Sequence, residues 1–245
     1  RDACRQIPCR EAALEELRQW LRNEASEEYK TFSARLIPGC DNMLGVRIPV
    51  LRKKAKEIAR GDFRSFLSQS EDLYFEETMM AGMIIGYARI SIEERMELFA
   101  DFIPRIRNWS VNDCVCSGIK LKSGEYEPFW DFLMGYRDSG KEYEIRVVAV
   151  MMMNQYLIPE YIDRVLHVLD ALRDEAYYAS MGIAWALASA YAKFPDKTLA
   201  LLRGENSFSD QTFNRAIQKM TESNRLGAED KQMLRDMKRN TRRRI

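Results

Sequence analysis

Histidine is nearly missing from this 245-residue sequence; His167 is the single one. A histidine-based metal site or a Ser-His-Asp triad would have to rest on that one side chain. Cysteine is sparse, with five residues scattered through the chain. An odd, dispersed set is no disulfide framework and suits a reducing cytoplasm, so a cytoplasmic location is expected. Cys114 and Cys116 form a Cys-x-Cys pair with no second pair to complete a zinc site, and no metal is expected. No apolar run approaches the roughly 18 residues of a membrane span. The opening stretch RDACRQIPCREAALEEL has no apolar core of a secretory signal. Period-two alternation does not recur, and Asn-Gly and Asp-Gly turns are absent, which excludes a hairpin-built fold. The net charge of +1 supplies no overall attraction to a polyanion.

What is present is helical periodicity from end to end. Hydrophobic residues make up 46% and charged residues 31%, the balance of a globular chain. The spacing predicts helices over roughly 11–25, 27–37, 48–60, 62–69, 72–88, 91–105, 109–121, 126–137, 141–157, 159–173, 176–193, 195–203, 209–223 and 228–240. Pro38-Gly39 ends one of them. Ser91 with Glu94 three residues on is a capping-box pattern, and Ser209 is placed to cap the helix after it. Pro159 and Pro195 are expected in first turns, where a missing N–H costs nothing.

The helices also keep a rhythm. Strongly apolar ones (LYFEETMMAGMIIGYA, YEIRVVAVMMMNQYL, YYASMGIAWALASAYA) alternate with amphipathic partners such as IEERMELFADFI and PEYIDRVLHVLDAL. Glu76, Asp113, Arg146, Trp185 and Lys219 mark successive units, with spacings of 37, 33, 39 and 34. Two helices per thirty-odd residues, without identity between units, predicts an all-α solenoid of about six HEAT-like repeats, curved around a concave basic groove. No linker divides the chain, so one superhelical domain over 1–245 is expected. Charge is segregated: residues 45–61 hold six bases (Arg47, Arg52, Lys53, Lys54, Lys56, Arg60) against Glu57, residues 231–245 hold seven bases against Asp236, and residues 11–28 are acidic. Such segregation can build a basic face on a neutral protein, although charge runs are often plain solvated surface.

In that repeat scheme Trp109, Asp113, Arg146 and Trp185 fall on three consecutive inner helices. Trp109 and Asp113, four apart, share a helix face. A guanidinium can fork onto a phosphate, indole faces attract cations, and a carboxylate can stabilise an oxocarbenium-like centre. A carboxylate next to a phosphate binder would otherwise repel the ligand, so its presence points to chemistry. The structural alternatives remain open: Asp113 as a helix cap among Asn108 and Asn112, Trp185 as core with Met181 and Ala188, Arg146 as an ion pair with Glu142 or Asp113.

Several segments resemble one family. MLGVRIPVLRKKAKEIAR (43–60) is similar to the Leu-Gly-Val-Arg-x-Pro-x-Leu-Arg-Lys segment of the bacterial DNA alkylation repair family, the HEAT-like-repeat alkylpurine DNA glycosylases of the AlkD type. NWSVNDCVC resembles its Trp-x-x-x-Asp segment, EIRVVAVMM its arginine-bearing inner helix, GIAWALASAYAKFP its Gly-x-x-Trp-Ala helix and NRAIQKMTESNRL its closing pattern. The order is the same, and the likeness runs from about residue 29 to 238. The resemblance implies excision of N3- and N7-alkylated purines from double-stranded DNA by a monomer that uses no metal or organic cofactor and no membrane. It implies Asp113 as electrostatic catalyst, Trp109 and Trp185 as indoles cradling the lesion nucleotide, Arg146 as a phosphate anchor, and Arg47, Lys53 and Lys54 as DNA-binding bases. Two features depart from the family pattern: Ser110 stands in the Trp-Asp-x-x-Asp segment, and FSARLIPGCDN replaces a longer basic stretch. The alternative is a member that binds DNA, or a protein partner, through the same surface with little or no excision.

Overall fold

The computed structural model describes residues 7–173, 175–224 and 226–240, with the backbone alone for residues 7–12. The ends of the chain, including the last arginines of the basic tail, lie outside the described residues. Fourteen α-helices occur among the described residues and no strand, as the periodicity predicts. The chain divides into two compact units, residues 1–120 and 121–245.

The first unit holds α1 (Ile7–Glu24), α2 (Glu27–Leu36), α3 (Ile48–Ile58), α4 (Phe63–Gln69), α5 (Phe75–Tyr87), α6 (Ile92–Phe102), a 3-10 turn (Ile103–Arg105) and α7 (Trp109–Gly118). Helices α3, α5 and α7 form a row with α5 in the middle, and α4 and α6 also pack on α5. That position explains its sequence. Every residue from Phe75 to Ile85 is buried, and from Met79 on the helix is apolar all round, while its first turn buries the polar Glu76, Glu77 and Thr78. Met79, Met80, Met83 and Ile84 are fully buried, and each contributes about 1.5–3 kcal/mol relative to exposure. Gly86 meets the backbone of Gly118 so closely that an added Cβ would stand 2.7 Å from the Gly118 carbonyl carbon. The absent side chain is what lets α5 and α7 touch there.

The second unit holds α8 (Tyr126–Met134), α9 (Glu142–Gln155), α10 (Ile162–Ala171), α11 (Tyr177–Lys193), α12 (Pro195–Arg203), α13 (Asp210–Thr221) and α14 (Ala228–Asp236). It repeats the plan: α9, α11 and α13 form a row centred on α11, with α10 and α12 also against α11. Residues 145–152 of α9 are buried without a break.

The punctuation acts as its chemistry requires. Ser91 Oγ accepts from the Glu94 amide at 3.2 Å, and Ser209 Oγ from that of Thr212 at 3.1 Å. Pro195 opens α12. Pro159 does not open α10: it lies in a turn, and the helix starts at Ile162, because the Ile158 carbonyl already takes the Tyr161 and Ile162 amides in that turn.

Candidate functional site

In the first unit, α7 carries Trp109 and Asp113. Its N-cap is Asn108, whose side-chain oxygen accepts the Val111 amide at 3.0 Å. Asp113 therefore sits in the second turn and is not the cap. Trp109 is the first helical residue and is half-buried. Its indole Nε1 donates to the Leu36 carbonyl at 2.9 Å, which satisfies one of the orphan acceptors at the end of α2. Ring and helix end together wall an apolar pocket of about 250 Å³, lined among others by Tyr29, Phe32, Leu36, Met43 and Ser110. Phe32 and Leu36 are more than half exposed beside it.

Asp113 is half-buried. The fully buried Asn112 donates its amide to Asp113 Oδ1 at 3.1 Å and lies 3.9 Å from the Cys116 sulfur. The Asn112 Oδ1 is buried without a partner. A buried acceptor left unmet costs about 1–3 kcal/mol, a cost borne by Asn112 itself. The cap alternative for Asp113 falls to Asn108, and the bond from Asn112 to Asp113 carries no sequence signal beyond adjacency.

Below the pocket lies the Leu-Gly-Val-Arg segment. The carboxylate of Glu76, wholly buried at the start of α5, accepts the amides of Leu44 (3.0 Å), Gly45 (2.7 Å) and Val46 (3.2 Å). Gly45 has φ +96°, and a Cβ there would lie 2.4 Å from the Ser26 carbonyl oxygen. Only glycine lets the loop turn left-handed while touching α2. The motif is thus a backbone cradle around a buried anion, and it delivers Arg47 to the N-cap of α3. The exposed Arg47 guanidinium lies 5.4 Å from the centroid of the Tyr29 ring, so Arg47 and Trp109 flank the same pocket. Lys53 is exposed. Lys54 is directed to Glu57 (2.8 Å) and to the Trp20 ring (5.7 Å). The bases of α3 on its α5–α7 side are Arg52 and Lys56, which the charge run alone did not single out.

In the second unit, Arg146 of α9 is only 5% exposed. Its Nη1 donates to the Tyr178 carbonyl at 2.8 Å. The side chain lies across Gly182 of α11, where a Cβ would come within 3.1 Å of Arg146 Cγ. The glycine of the Gly-x-x-Trp pattern is therefore the seat of the arginine. Trp185, three residues further, is 40% exposed, so it is not a core residue. The N-terminal end of α11 carries a cluster with no mark in the sequence pattern. Tyr177 is exposed, its ring carries the Arg215 guanidinium at 4.8 Å, and Arg215 Nη1 donates to Ser180 Oγ at 2.6 Å.

The structure thus places Trp109, Asp113 and Arg47 in the first unit, Arg47 on α3 and the other two on α7, and Arg146 and Trp185 on adjacent helices of the second. Among the described residues no three His, Cys, Asp or Glu side chains stand together as metal ligands. Burial raises the Cys114 thiol pKa, with the nearby Arg52 pulling it the other way. No helix among the described residues is long and apolar enough to cross a membrane. No curated protein and no solved structure matches the chain. A family model described as DNA alkylation repair enzyme matches residues 17–220, and the chain belongs to that family.

Proposed function

We propose that this protein is a DNA glycosylase that hydrolyses the N-glycosidic bond of N3- and N7-alkylated purines in double-stranded DNA. The observation that carries the reading is the pairing of Trp109 with Asp113 on consecutive turns of α7, the carboxylate half-exposed and oriented by a buried amide. An alkylated purine carries a formal positive charge. As its bond to C1′ breaks, the bonding electrons neutralise the base and the sugar becomes oxocarbenium-like. Asp113 stabilises that cation electrostatically, and the indole faces of Trp109 and Trp185 add quadrupole attraction. Water adds to C1′ and loses a proton, leaving an abasic site. The leaving group is already cationic, so no strong general acid is needed.

Arg146 serves as phosphate anchor, its guanidinium pre-set by the Tyr178 carbonyl and the Gly182 notch. Arg47, Lys53 and Lys54 contact the duplex as further bases. The fold-level reading is an α-solenoid of HEAT-like repeats acting as a single domain with a concave basic groove. It is supported by the two rows of buried helices and the repeat spacing. A cytoplasmic monomer without metal or organic cofactor completes it.

The test is release of 7-methylguanine or 3-methyladenine from methylated duplex. Asp113→Asn is expected to lower release by about a hundredfold or more, the scale of losing one preorganised electrostatic group. Release no faster than from enzyme-free DNA overturns the reading. A second reading, DNA binding without excision, is favoured by the Trp109 indole N–H being held by Leu36 and by Ser110 beside it. It predicts salt-sensitive binding with no base release, and Asp113→Asn binding as tightly as the parent protein or tighter.

A further inference from the structure

The bases of α3 have different surroundings, and Lys53 and Lys54 both act on Glu57. Lys54 is neutralised by Glu57. Elsewhere in the first unit Arg18 pairs with Glu71 and Glu77, Arg22 with Glu15, Arg64 with Glu94 and Arg105 with Asp72. Arg52 and Lys56 are exposed, and among the described residues neither has a carboxylate within ion-pair distance. They are one helical turn apart, on the side of α3 that meets α5 through the buried Leu51 and Ala55. Lys56 Nζ stands 5.3 Å from the centroid of Tyr87, the last residue of α5. Arg52 lies near the Tyr87 hydroxyl and the Cys114 thiol, and its charge opposes the upward push that burial gives both groups. Cys114 follows Asp113 on α7. Two cations with no acid partner among the described residues therefore stand at Tyr87, Lys56 over its ring and Arg52 near its hydroxyl, beside the helix that carries the candidate catalytic carboxylate.

That placement answers an electrostatic problem. A carboxylate facing a phosphodiester strand repels it, and the effect is strongest for the phosphates nearest the reacting sugar. Cations fixed next to that carboxylate offset the repulsion. We propose that Arg52 and Lys56, with Tyr87 between them, form a phosphate-binding strip that holds the DNA strand passing Asp113, an assignment that rests on the DNA-repair reading above.

The test is fluorescence polarisation of the full chain with a fluorescein-labelled duplex carrying one central tetrahydrofuran abasic analogue, from low to moderate salt. Each lost phosphate contact lowers the slope of log Kd against log salt by about 0.9. R52Q/K56Q is expected to reduce the slope by about 2, and R52K/K56R to restore most of it. The control R64Q/K197Q removes two charges that pair with Glu94 and Asp163 and is expected to leave the slope unchanged. Equal slopes for the parent and R52Q/K56Q, with both folded by circular dichroism, overturn the strip alone. A control that lowers the slope as much as R52Q/K56Q also overturns it, because the effect is then net charge. No binding by the parent protein at low salt overturns the strip together with the DNA-repair reading.

Discussion

The two units support the buried charge nearest their candidate residues differently, although each also holds one buried arginine on backbone carbonyls, Arg95 in the first and Arg146 in the second. In residues 1–120 the buried groups near the candidate site are carboxylates: Glu76 is wrapped by the amides of Leu44, Gly45 and Val46, and Glu77 takes the Arg18 guanidinium at 3.0 Å and the Glu71 amide at 2.7 Å. In residues 121–245 the buried group is the Arg146 guanidinium, laid across Gly182 and bonded to the Tyr178 carbonyl. The first unit places Trp109 and Asp113 near the start of a ten-residue helix, tied in by the Val111 amide donating to Asn108, the Trp109 indole donating to the Leu36 carbonyl and Asn112 donating to Asp113. The second places Arg146 and Trp185 within helices of fourteen and seventeen residues, where packing along a row of helices sets their positions. Short elements need specific polar anchors; long buried ones are located by the bulk of their contacts.

The comparison can be broken most forcefully at Glu76. Glu76→Ala leaves the Leu44, Gly45 and Val46 amides without their acceptor, at about 1–3 kcal/mol for each one that stays buried, so a loss of about 3 kcal/mol or more is expected in chemical denaturation. A loss below 1 kcal/mol would show that water replaces the carboxylate and that the cradle is not an anchor. Next is Gly45→Ala, where the new Cβ meets the Ser26 carbonyl at φ +96°. About 3 kcal/mol is expected, against about 1 kcal/mol for Gly39→Ala, which has φ +79° but open space around it. Similar losses at the two glycines would mean that backbone strain alone, and not the α2 contact, governs the loop.

Gly182→Ala sharpens the other half. The added methyl crowds Arg146 Cγ at 3.1 Å, but the neighbour is a flexible side chain and alanine is the better helix former by about 1 kcal/mol. Stability is expected to stay within about 1 kcal/mol of the parent while DNA binding weakens as Arg146 is displaced. A large stability loss with intact binding would reverse that account. The smallest effect is at Cys40, whose thiol burial pushes up to about 11, with Glu76 and Asp41 adding to the push. A rise from 9 to about 11 means roughly a hundredfold less thiolate at pH 8, so iodoacetamide is expected to alkylate Cys40 about that much more slowly than an ordinary thiol. Labelling at the ordinary rate would mean that the loop around Glu76 opens readily.

Much of the architecture could be read from residue order. The apolar runs of α5, α9 and α11 announce helices buried on every side, and Ser91, Ser209 and Pro195 mark their starts, because these signals act over three or four residues of local backbone. Pro159 misled by three residues, since a proline fits a turn as well as a first helical turn. The family was legible in the Leu-Gly-Val-Arg segment and in the Trp109–Asp113 spacing. What stood behind those motifs was not. That Gly45 bends around Ser26, that Glu76 lies inside that bend, that Gly182 seats Arg146, and that Asn112 props Asp113 are contacts between residues 19 to 36 positions apart, or hidden by simple adjacency.

Charge shows the division most clearly. The sequence by itself determined an all-helical chain, its helix positions and an excess of bases over residues 45–61. Tertiary structure alone decided which of those bases are left over: Lys54 turns to Glu57 and Trp20, Arg47 to Tyr29, and Arg52 and Lys56 to Tyr87 at the edge of α7. The physical reason is that a run of lysines and arginines fixes the net charge of a segment, whereas its field at any point depends on which acids and rings the fold brings within a few ångströms.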